Sequence, residues 1–591
     1  MVSTLTWVLA GLVLYTVGVM ALRARGMLPE SVRVSGPIVT LHTGRGRDFL
    51  DRLAAPRRFW RAWGNFGVGA AIVIMVGAGA AVFASALAAV QQPERSTIQN
   101  PQNVLVIPGV NDFLPLAAAP EIVFGLVLAL VVHEGGHGLL CRVEDIEIDS
   151  MGLAFLAFIP VGAFVQPDEE SRNRASRGSQ TRMFAAGVTN NFFVTFLAFL
   201  VLFGPVSGSI AVTAGVPIGD SVDGGPADRA SIEYGDVVTH VEGEPVANFS
   251  EFDAALDRTS DRSVDVRLQD GTETTLNRSV MLTRVVPDLM PNVSISRDRA
   301  TVVRRVNGTA VHTERDFARA MSDRRTAELE TNRGSATLPV GAYGNVDPDG
   351  PMADEGVPAG EGGVVVMSVD GERTPNETAY QRALDGVEPG ETVTVIAHTP
   401  AGRETLDVTA VDDGGAASLG LRTRQGFSGI TVVDVGINVY PANGFLASLG
   451  GDSGPFGGLF SGEFLRNAFI VLLLPFFGAV APGEAYNFAG FIDPVTNFYV
   501  VSGPLAFLGG GVFLLANLLF WTAWINLNLG LFNCVPMFPL DGGHILRASA
   551  ESFVSRLPTE SGRRLTSALT VSVSVVMLLG LALMVFAPQI F

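Results

Sequence analysis

Long uncharged apolar runs constrain the fold of this 591-residue chain more than any other feature. A helix of about 20 apolar residues crosses a bilayer, and six segments offer that length. They lie at residues 5–22, 66–90, 122–141, 183–202 and 565–587, and within the 47-residue uncharged run 494–540. The sequence therefore predicts a polytopic α-helical membrane protein with about six spans, which is in contact with the lipid bilayer.

The water-facing part of the chain is strongly acidic. Residues 220–413 contain 36 Asp and Glu against 18 Arg, and the whole chain carries a net charge of −18. All 40 basic residues are Arg, because no Lys occurs. A hydrated, acidic, Lys-free surface indicates a halophilic archaeon, although an Arg-biased genome gives a similar composition. This charge disfavours nucleic acid as a partner.

The distribution of Arg predicts the orientation. The loop 23–65 holds nine Arg and three acids, which places it in the cytoplasm. Counting spans from that loop predicts a multi-pass cell-membrane protein in which residues 209–440 are extracytoplasmic. The apolar stretch 152–165 is too short to cross, so it is predicted to form a re-entrant hairpin shielded by protein.

The predicted outer region contains an internal repeat. It comprises segments 237–243, 302–308 and 367–371, whose final glycines are 65 and then 63 residues apart. Each predicts a strand, a Gly turn, a second strand and a short helix. This pattern resembles the PDZ domains of membrane and periplasmic proteases, and the middle repeat lacks the front part. We expect a β-rich insertion with two PDZ-like domains and a partial third; another kind of β-rich domain is the alternative.

An HExxH motif lies in one of the apolar segments. In a helix, His133 and His137 share one face and can hold one zinc ion, while Glu134 can act on a bound water. The same motif also occurs by chance on ordinary helix surfaces. Apolar surroundings disfavour that interpretation, because ionisable side chains at membrane depth need a partner, an ion or a water pocket.

Zinc requires a third protein ligand. Asp541 is the first charge after the long uncharged run, and the nearby Pro536 and Pro539 turn the chain. An Asp there either binds the ion or caps the next helix. Glu169 and Glu170 are alternative ligands, which would place the site of a zincin at the membrane surface. The pairing with HExxH favours Asp541.

These motifs together resemble the site-2 protease family of intramembrane zinc metalloproteases. The family has HExxH on one core helix, Gly-xxx-Asn on the next and Asn-xx-Pro-xx-Pro-Leu-Asp-Gly on the third. The matching positions are 133–137, 187–191 and 533–542. The resemblance implies a zinc metalloendopeptidase that performs regulated intramembrane proteolysis on transmembrane protein substrates.

The resemblance also implies roles for individual residues. His133, His137 and Asp541 would bind Zn²⁺, and Glu134 would transfer protons. Asn191 and Asn533 would orient the substrate or the oxyanion, although helix packing is an equal explanation for both.

The predicted segments follow from these assignments. They are a two-span extension with an Arg-rich cytoplasmic loop (1–120), the first half of the protease core (121–208), the tandem PDZ-like region (209–440), a Gly-rich linker with a short apolar segment (441–503), the second half of the core (504–548) and a C-terminal span (549–591). The stretch 468–481 is expected to be re-entrant or interfacial.

A different class of function is compatible with the repeats. The chain could be a catalytically idle membrane scaffold that binds partners, such as peptide C-termini, through its PDZ-like domains. An idle protein has no need for costly charges in lipid, so the intact HExxH and Asp541 favour the enzyme. The sequence does not define an oligomeric state.

Overall fold

The computed structural model describes residues 4–92, 107–111, 114–157, 159–295, 299–359, 363–450, 464–480, 486–558 and 561–590. The chain divides into two compact units. The membrane unit comprises Met1–Ala211, Asn443–Ile492 and Val500–Phe591, and the β-rich unit comprises Val212–Ala442 and Asp493–Tyr499. Residues 451–463 of the predicted Gly-rich linker lie outside the described residues.

Most of the membrane unit is helical, and short helices connect strands in the β-rich unit. They are α1 (Thr4–Ala24), α2 (Arg45–Leu53), α3 (Arg57–Gln91), α4 (Ala119–Val143), α5 (Glu169–Arg174), α6 (Arg177–Val201), α7 (Pro226–Arg229), α8 (Phe249–Arg258), α9 (Glu314–Ser322), α10 (Pro351–Asp354), α11 (Glu377–Leu384), α12 (Ala442–Ser448), α13 (Phe464–Leu473), α14 (Phe477–Val480), α15 (Gly511–Asn533), α16 (Asp541–Val554) and α17 (Gly562–Ile590).

The strands form sheets in both units. They are β1 (Val32–Ser35), β2 (Ile38–His42), β3 (Ile148–Leu156), β4 (Ile159–Pro167), β5 (Ile210–Val212), β6 (Val216–Ser221), β7 (Val237–Val241), β8 (Glu244–Pro245), β9 (Ser263–Leu268), β10 (Glu273–Asn277), β11 (Met281–Arg284), β12 (Val303–Val306), β13 (Thr309–Ala310), β14 (Thr326–Thr331), β15 (Gly334–Pro339), β16 (Ala342–Val346), β17 (Val364–Val369), β18 (Glu372–Arg373), β19 (Thr392–Thr399), β20 (Gly402–Thr409), β21 (Val411–Asp413), β22 (Ala416–Ser418), β23 (Leu421–Thr423), β24 (Thr431–Val433), β25 (Ile437–Val439) and β26 (Tyr499–Val501).

Among the described residues, five helical segments are long and apolar enough to cross a membrane. They are Arg57–Gln91, Leu116–Val143, Arg177–Ser209, Gly511–Asn533 and Gly562–Ile590. The predicted fold class, a polytopic helical protein with a β-rich insertion, is confirmed. The predicted run 5–22 forms the helix α1, and its crossing of the membrane stays a prediction. The stretch around 468–480 is broken into α13 and α14, which are both short.

Three helices, α4, α6 and α15, pack against one another and position the site. Small residues let their backbones approach closely, as is usual between membrane helices. A side chain at Gly125 would place its Cβ 2.9 Å from the carbonyl oxygen of Trp521, and one at Gly136 would place it 2.8 Å from that of Ala186. Both glycines are therefore needed for this helix spacing.

The predicted hairpin at 152–165 is the β3–β4 hairpin of a larger sheet. The strand order is β1-β2-β3-β4, and Ile38 of β2 lies opposite Leu156 of β3. Strands β1 and β2 come from the Arg-rich loop 23–65, for which the sequence predicts no strands. Gly152 permits the β2–β3 pairing, because a Cβ there would lie only 2.0 Å from the carbonyl oxygen of Leu41.

The repeated sequence pattern of the β-rich unit has a shared local structure. Glu242, Asn307 and Asp370 all have positive φ and are each followed by a positive-φ glycine, at the turns β7–β8, β12–β13 and β17–β18. Two successive residues with positive φ form the tight hairpin turn that matches strand twist. The aromatic residue of each following helix is buried; these are Phe252, Phe317 and Tyr380.

The first repeat encloses the other two along the chain, whereas the middle and third repeats follow one another. The first sheet has the order β10-β9-β7-β6-β25, so its edge strand comes from the far end of the insertion. The third repeat forms a similar sheet, β20-β19-β17-β16-β23, and the middle repeat has only four strands, β13-β12-β14-β15. The smaller middle sheet agrees with its incomplete sequence pattern.

A buried ion pair connects the first repeat to the returning strand. The Nε of Arg278 donates to Oδ2 of Asp434 at 3.0 Å, and the two residues are 2% and 1% exposed. The guanidinium also donates to the carbonyl oxygens of Leu256 and Thr259, and Oδ2 accepts from the backbone N–H of Glu314 at 2.9 Å. The pair is therefore fully enclosed by hydrogen bonds.

Replacing Asp434 with Ala is expected to destabilise the β-rich unit by about 3–5 kcal/mol, because it leaves a buried guanidinium without its counter-charge. Amide hydrogen exchange in β6 and β25 of the full chain measures the effect. The control is Asp347→Ala, which removes the exposed pair with Arg422 and should leave the exchange close to that of the wild type, because solvent screens an exposed ion pair. Equal exchange in both variants would contradict the assigned importance of the buried pair.

Candidate metal centre

Three side chains from distant parts of the chain converge in the membrane unit. His133 and His137 lie one turn apart on α4, and Asp541 begins α16. Oδ2 of Asp541 lies 3.1 Å from Nε2 of His133 and 3.3 Å from Nε2 of His137. The two Nε2 atoms are 3.2 Å apart. His133 and Asp541 are only 6% and 9% exposed, so the cluster is shielded from solvent.

The spacing of these atoms fits one tetrahedrally coordinated ion. Ligand atoms bound at the distances usual for zinc lie roughly 3.3–3.6 Å apart in a tetrahedron. In addition, Oδ2 of Asp541 is buried and has no hydrogen-bond partner among the described residues. A buried, unsatisfied carboxylate oxygen is costly, and a cation removes that cost. Among the described residues, this is the one group of His, Cys, Asp and Glu with metal-ligand spacing.

The turn between α15 and α16 carries Asp541 to the cluster. Gly542 and Gly543, which follow Asp541, allow the chain to fold tightly there. A Cβ at Gly542 would lie 2.4 Å from the carbonyl oxygen of Val535, and one at Gly543 would lie 2.7 Å from the backbone of Met537. No side chain fits at either position, which explains why two glycines follow the Asp.

Hydrogen bonds at Nδ1 orient both imidazoles. Nδ1 of His133 lies 3.0 Å from Oδ1 of Asn191, and Nδ1 of His137 lies 2.8 Å from the carbonyl oxygen of Met183. Both partners are acceptors, so each Nδ1 donates and each Nε2 keeps a lone pair. Such contacts hold metal-binding imidazoles in the required tautomer.

Helix α6 is shaped to fit beneath the imidazoles. A Cβ at Gly187 would lie 2.6 Å from Nε2 of His137, so a larger residue would occupy the ligand position. One turn later, Asn191 is fully buried, and its Nδ2 donates to Oδ1 of Asn526 at 3.1 Å. Within the Gly-xxx-Asn motif, Gly187 therefore lets α6 approach the imidazoles closely, and Asn191 makes the hydrogen bond to His133. No sequence motif marks Asn526, which is one of several asparagines in α15.

Glu134 lies beside the cluster and contacts the β4 strand. Its Oε2 accepts a hydrogen bond from the backbone N–H of Val165 at 2.9 Å. This contact holds the carboxylate between α4 and the edge of the sheet.

The remaining predicted residues lie in different settings. Asn533 is partly buried, and its Nδ2 donates to the carbonyl oxygen of Leu529 within the same helix. Glu169 and Glu170 are exposed on α5 and are not part of the metal-spaced cluster. His544 stacks on Phe184, with ring centroids 4.2 Å apart, and does not join the cluster.

Replacing Asn191 with Ala is expected to weaken metal binding by about 10- to 100-fold, because His133 loses the acceptor that orients it. Competition with a chelator of known affinity measures the change. The matched control is Asn528→Ala, whose amide bonds only to the carbonyl oxygen of Trp524 within α15. Unchanged affinity in the Asn191 variant would show that this residue serves helix packing alone.

The sequence matches the model of one known protein family. The model of peptidase family M50 matches residues 121–580, which is more than half of the chain. The match includes His133, His137 and Asp541, and it excludes β1, β2 and the helices α1 to α3. This chain therefore belongs to peptidase family M50, the family of the site-2 proteases that its motifs resemble.

Proposed function

We propose that this protein is a zinc-dependent intramembrane endopeptidase that cleaves membrane-spanning proteins. The observation that supports this most strongly is the buried convergence of His133, His137 and Asp541 beside Glu134, on apolar helices. Two imidazoles and a carboxylate form the three-ligand set that leaves a fourth position for water or substrate in catalytic zinc sites.

The residues of the site have different roles in the proposed reaction. When bound, zinc supplies Lewis acidity to the scissile carbonyl and makes water a stronger nucleophile at neutral pH. Glu134 takes a proton from the attacking water and gives it to the nitrogen of the leaving amine. Asn191 holds His133 in position. Asn533 remains a proposed contact for the substrate or the oxyanion.

The β4 strand offers a place for an unwound substrate. In the sheet order, β4 is an edge strand. The N–H of Val165 faces Glu134 rather than β3, so the backbone groups of Ala163, two residues earlier, face the same edge. An extended peptide can add to such an edge. Pairing there would expose a peptide bond that is otherwise protected inside a helix.

The β-rich unit is proposed to select substrates on the extracytoplasmic side. It would either exclude large substrates or bind the C-termini of proteins that have already been clipped. Unchanged rate and range of cleavage after deletion of residues 213–441 would contradict both proposals. Digestion of this unit by a protease added only to the cytoplasmic side would contradict its proposed location.

Replacing Glu134 with Gln is expected to reduce cleavage by about 10²- to 10⁴-fold, because the amide cannot accept the proton. Metal content should remain that of the wild type, since the three ligands are unchanged. Purified protein in liposomes, loaded with zinc and given a single-span reporter, provides the assay. The control Glu170→Gln alters an exposed carboxylate that pairs with Arg174, and it should cleave normally. Normal cleavage by the Glu134 variant would refute the assigned role.

A further inference from the structure

An apolar cavity of about 700 Å³ lies beside Glu134 in the membrane unit. One wall is formed by α4, α6, β3 and β4. The opposite wall comes from the N-terminal part of the chain, through Leu41, Phe49, Leu53, Phe59, Trp60 and Trp63. These six residues lie outside the segment 121–580 that matches the M50 family. The cavity is therefore completed by the part of this chain that the family match does not include.

The two tryptophans of this wall are held by hydrogen bonds. Nε1 of Trp60 donates to the carbonyl oxygen of Leu53 at 2.7 Å, and Nε1 of Trp63 donates to Oδ1 of Asn190 at 3.0 Å. Trp63 also packs edge-on against Phe193, with ring centroids 5.2 Å apart. With their N–H groups satisfied, the rings present fixed apolar surface to the cavity.

The position of the cavity identifies its occupant. Glu134 and Gly135 line it from α4, and Ala163 and Val165 line it from the β4 strand. A peptide paired with β4 beside Glu134 would therefore have a side chain near its scissile bond within reach of the cavity. A lipid chain fits less well, because it has no backbone N–H and C=O groups to pair with the edge of β4.

We propose that the N-terminal extension forms the side-chain pocket next to the scissile bond and selects a large aliphatic or aromatic residue there. This inference rests on the proposed protease function. It assigns substrate preference to Phe49, Trp60, Trp63 and their neighbours, and it leaves the metal ligands and Glu134 to the chemistry. Burying a large apolar side chain in such a pocket favours it over a small one by about tenfold or more.

Gly135 is a position on the cavity wall at which a side chain can be added. It lies within α4 and lines the cavity, and a Cβ at this position would meet no atom within 4 Å. Gly77 is the matched control, because it lies within α3, is exposed and would also meet no atom within 4 Å. Gly135→Leu should occupy the part of the cavity beside Glu134, whereas Gly77→Leu should leave the cavity unchanged.

The experiment uses the full zinc-loaded chain in liposomes with single-span reporters. Mass spectrometry first maps the cut, and the residues on either side of it are then varied among Gly, Ala, Leu and Phe. We expect the wild type and Gly77→Leu to prefer Leu or Phe at one of these positions by at least about tenfold in kcat/KM. Gly135→Leu should lose that preference while still cutting the reporters with Gly or Ala, which also shows that it is folded.

A second variant changes the pocket in the opposite direction. Phe49→Ala removes an exposed ring from the cavity wall and should shift the preference towards Phe over Leu. The pocket proposal is overturned if the wild type cuts without preference, or if the preference of Gly135→Leu is unchanged. Either result leaves the proposed protease function standing. Failure of the zinc-loaded wild type to cut any reporter would instead overturn the proposed function, and the pocket proposal with it.

Discussion

The buried carboxylate of Asp541 is the constraint on which the rest of the membrane unit depends. An ionised oxygen without a hydrogen-bond partner is costly among apolar helices, and two imidazole nitrogens at 3.1 and 3.3 Å do not compensate for it unless a cation lies between them. The helices must then bring residues 404 positions apart in the sequence to within a few ångströms of one another. The tight turn at Gly542 and Gly543 and the close packing of α4, α6 and α15 satisfy that requirement.

Glycine and asparagine perform complementary tasks around this centre. Gly136 and Gly187 remove side chains where α4 and α6 approach each other, and Asn191 uses the space to hold His133 through its carbonyl oxygen. The β4 strand performs a similar task for Glu134 through one backbone N–H. The proposed ligands, the proposed base and the β4 edge are thus fixed by neighbouring elements within one unit.

Local patterns in the sequence were sufficient to predict the long helices, the HExxH pair on one of them and the proximity of Asp541 to that pair, since each depends on nearby residues or on charge in an apolar run. Pairings between distant segments were not predictable in this way. Strands β1 and β2 lie in a loop notable only for its Arg residues, and β25 joins β6 across more than 200 residues. The cavity beside Glu134 depends on such a pairing, so no sequence motif predicts the cavity. Asn526 was missed because it is one of four asparagines in this helix, and no motif distinguishes it from Asn517 or Asn528.

The most direct test of this account is the zinc content per chain of purified wild type, Asp541→Ala and Asp541→Asn. The wild type should hold close to one zinc. Both variants should lose most of it, because the alanine removes the third ligand and the asparagine removes its charge while keeping its shape. Full zinc retention in Asp541→Ala would show that the two distant motifs do not form one site. Absence of zinc from the wild type after loading would contradict the metal centre altogether.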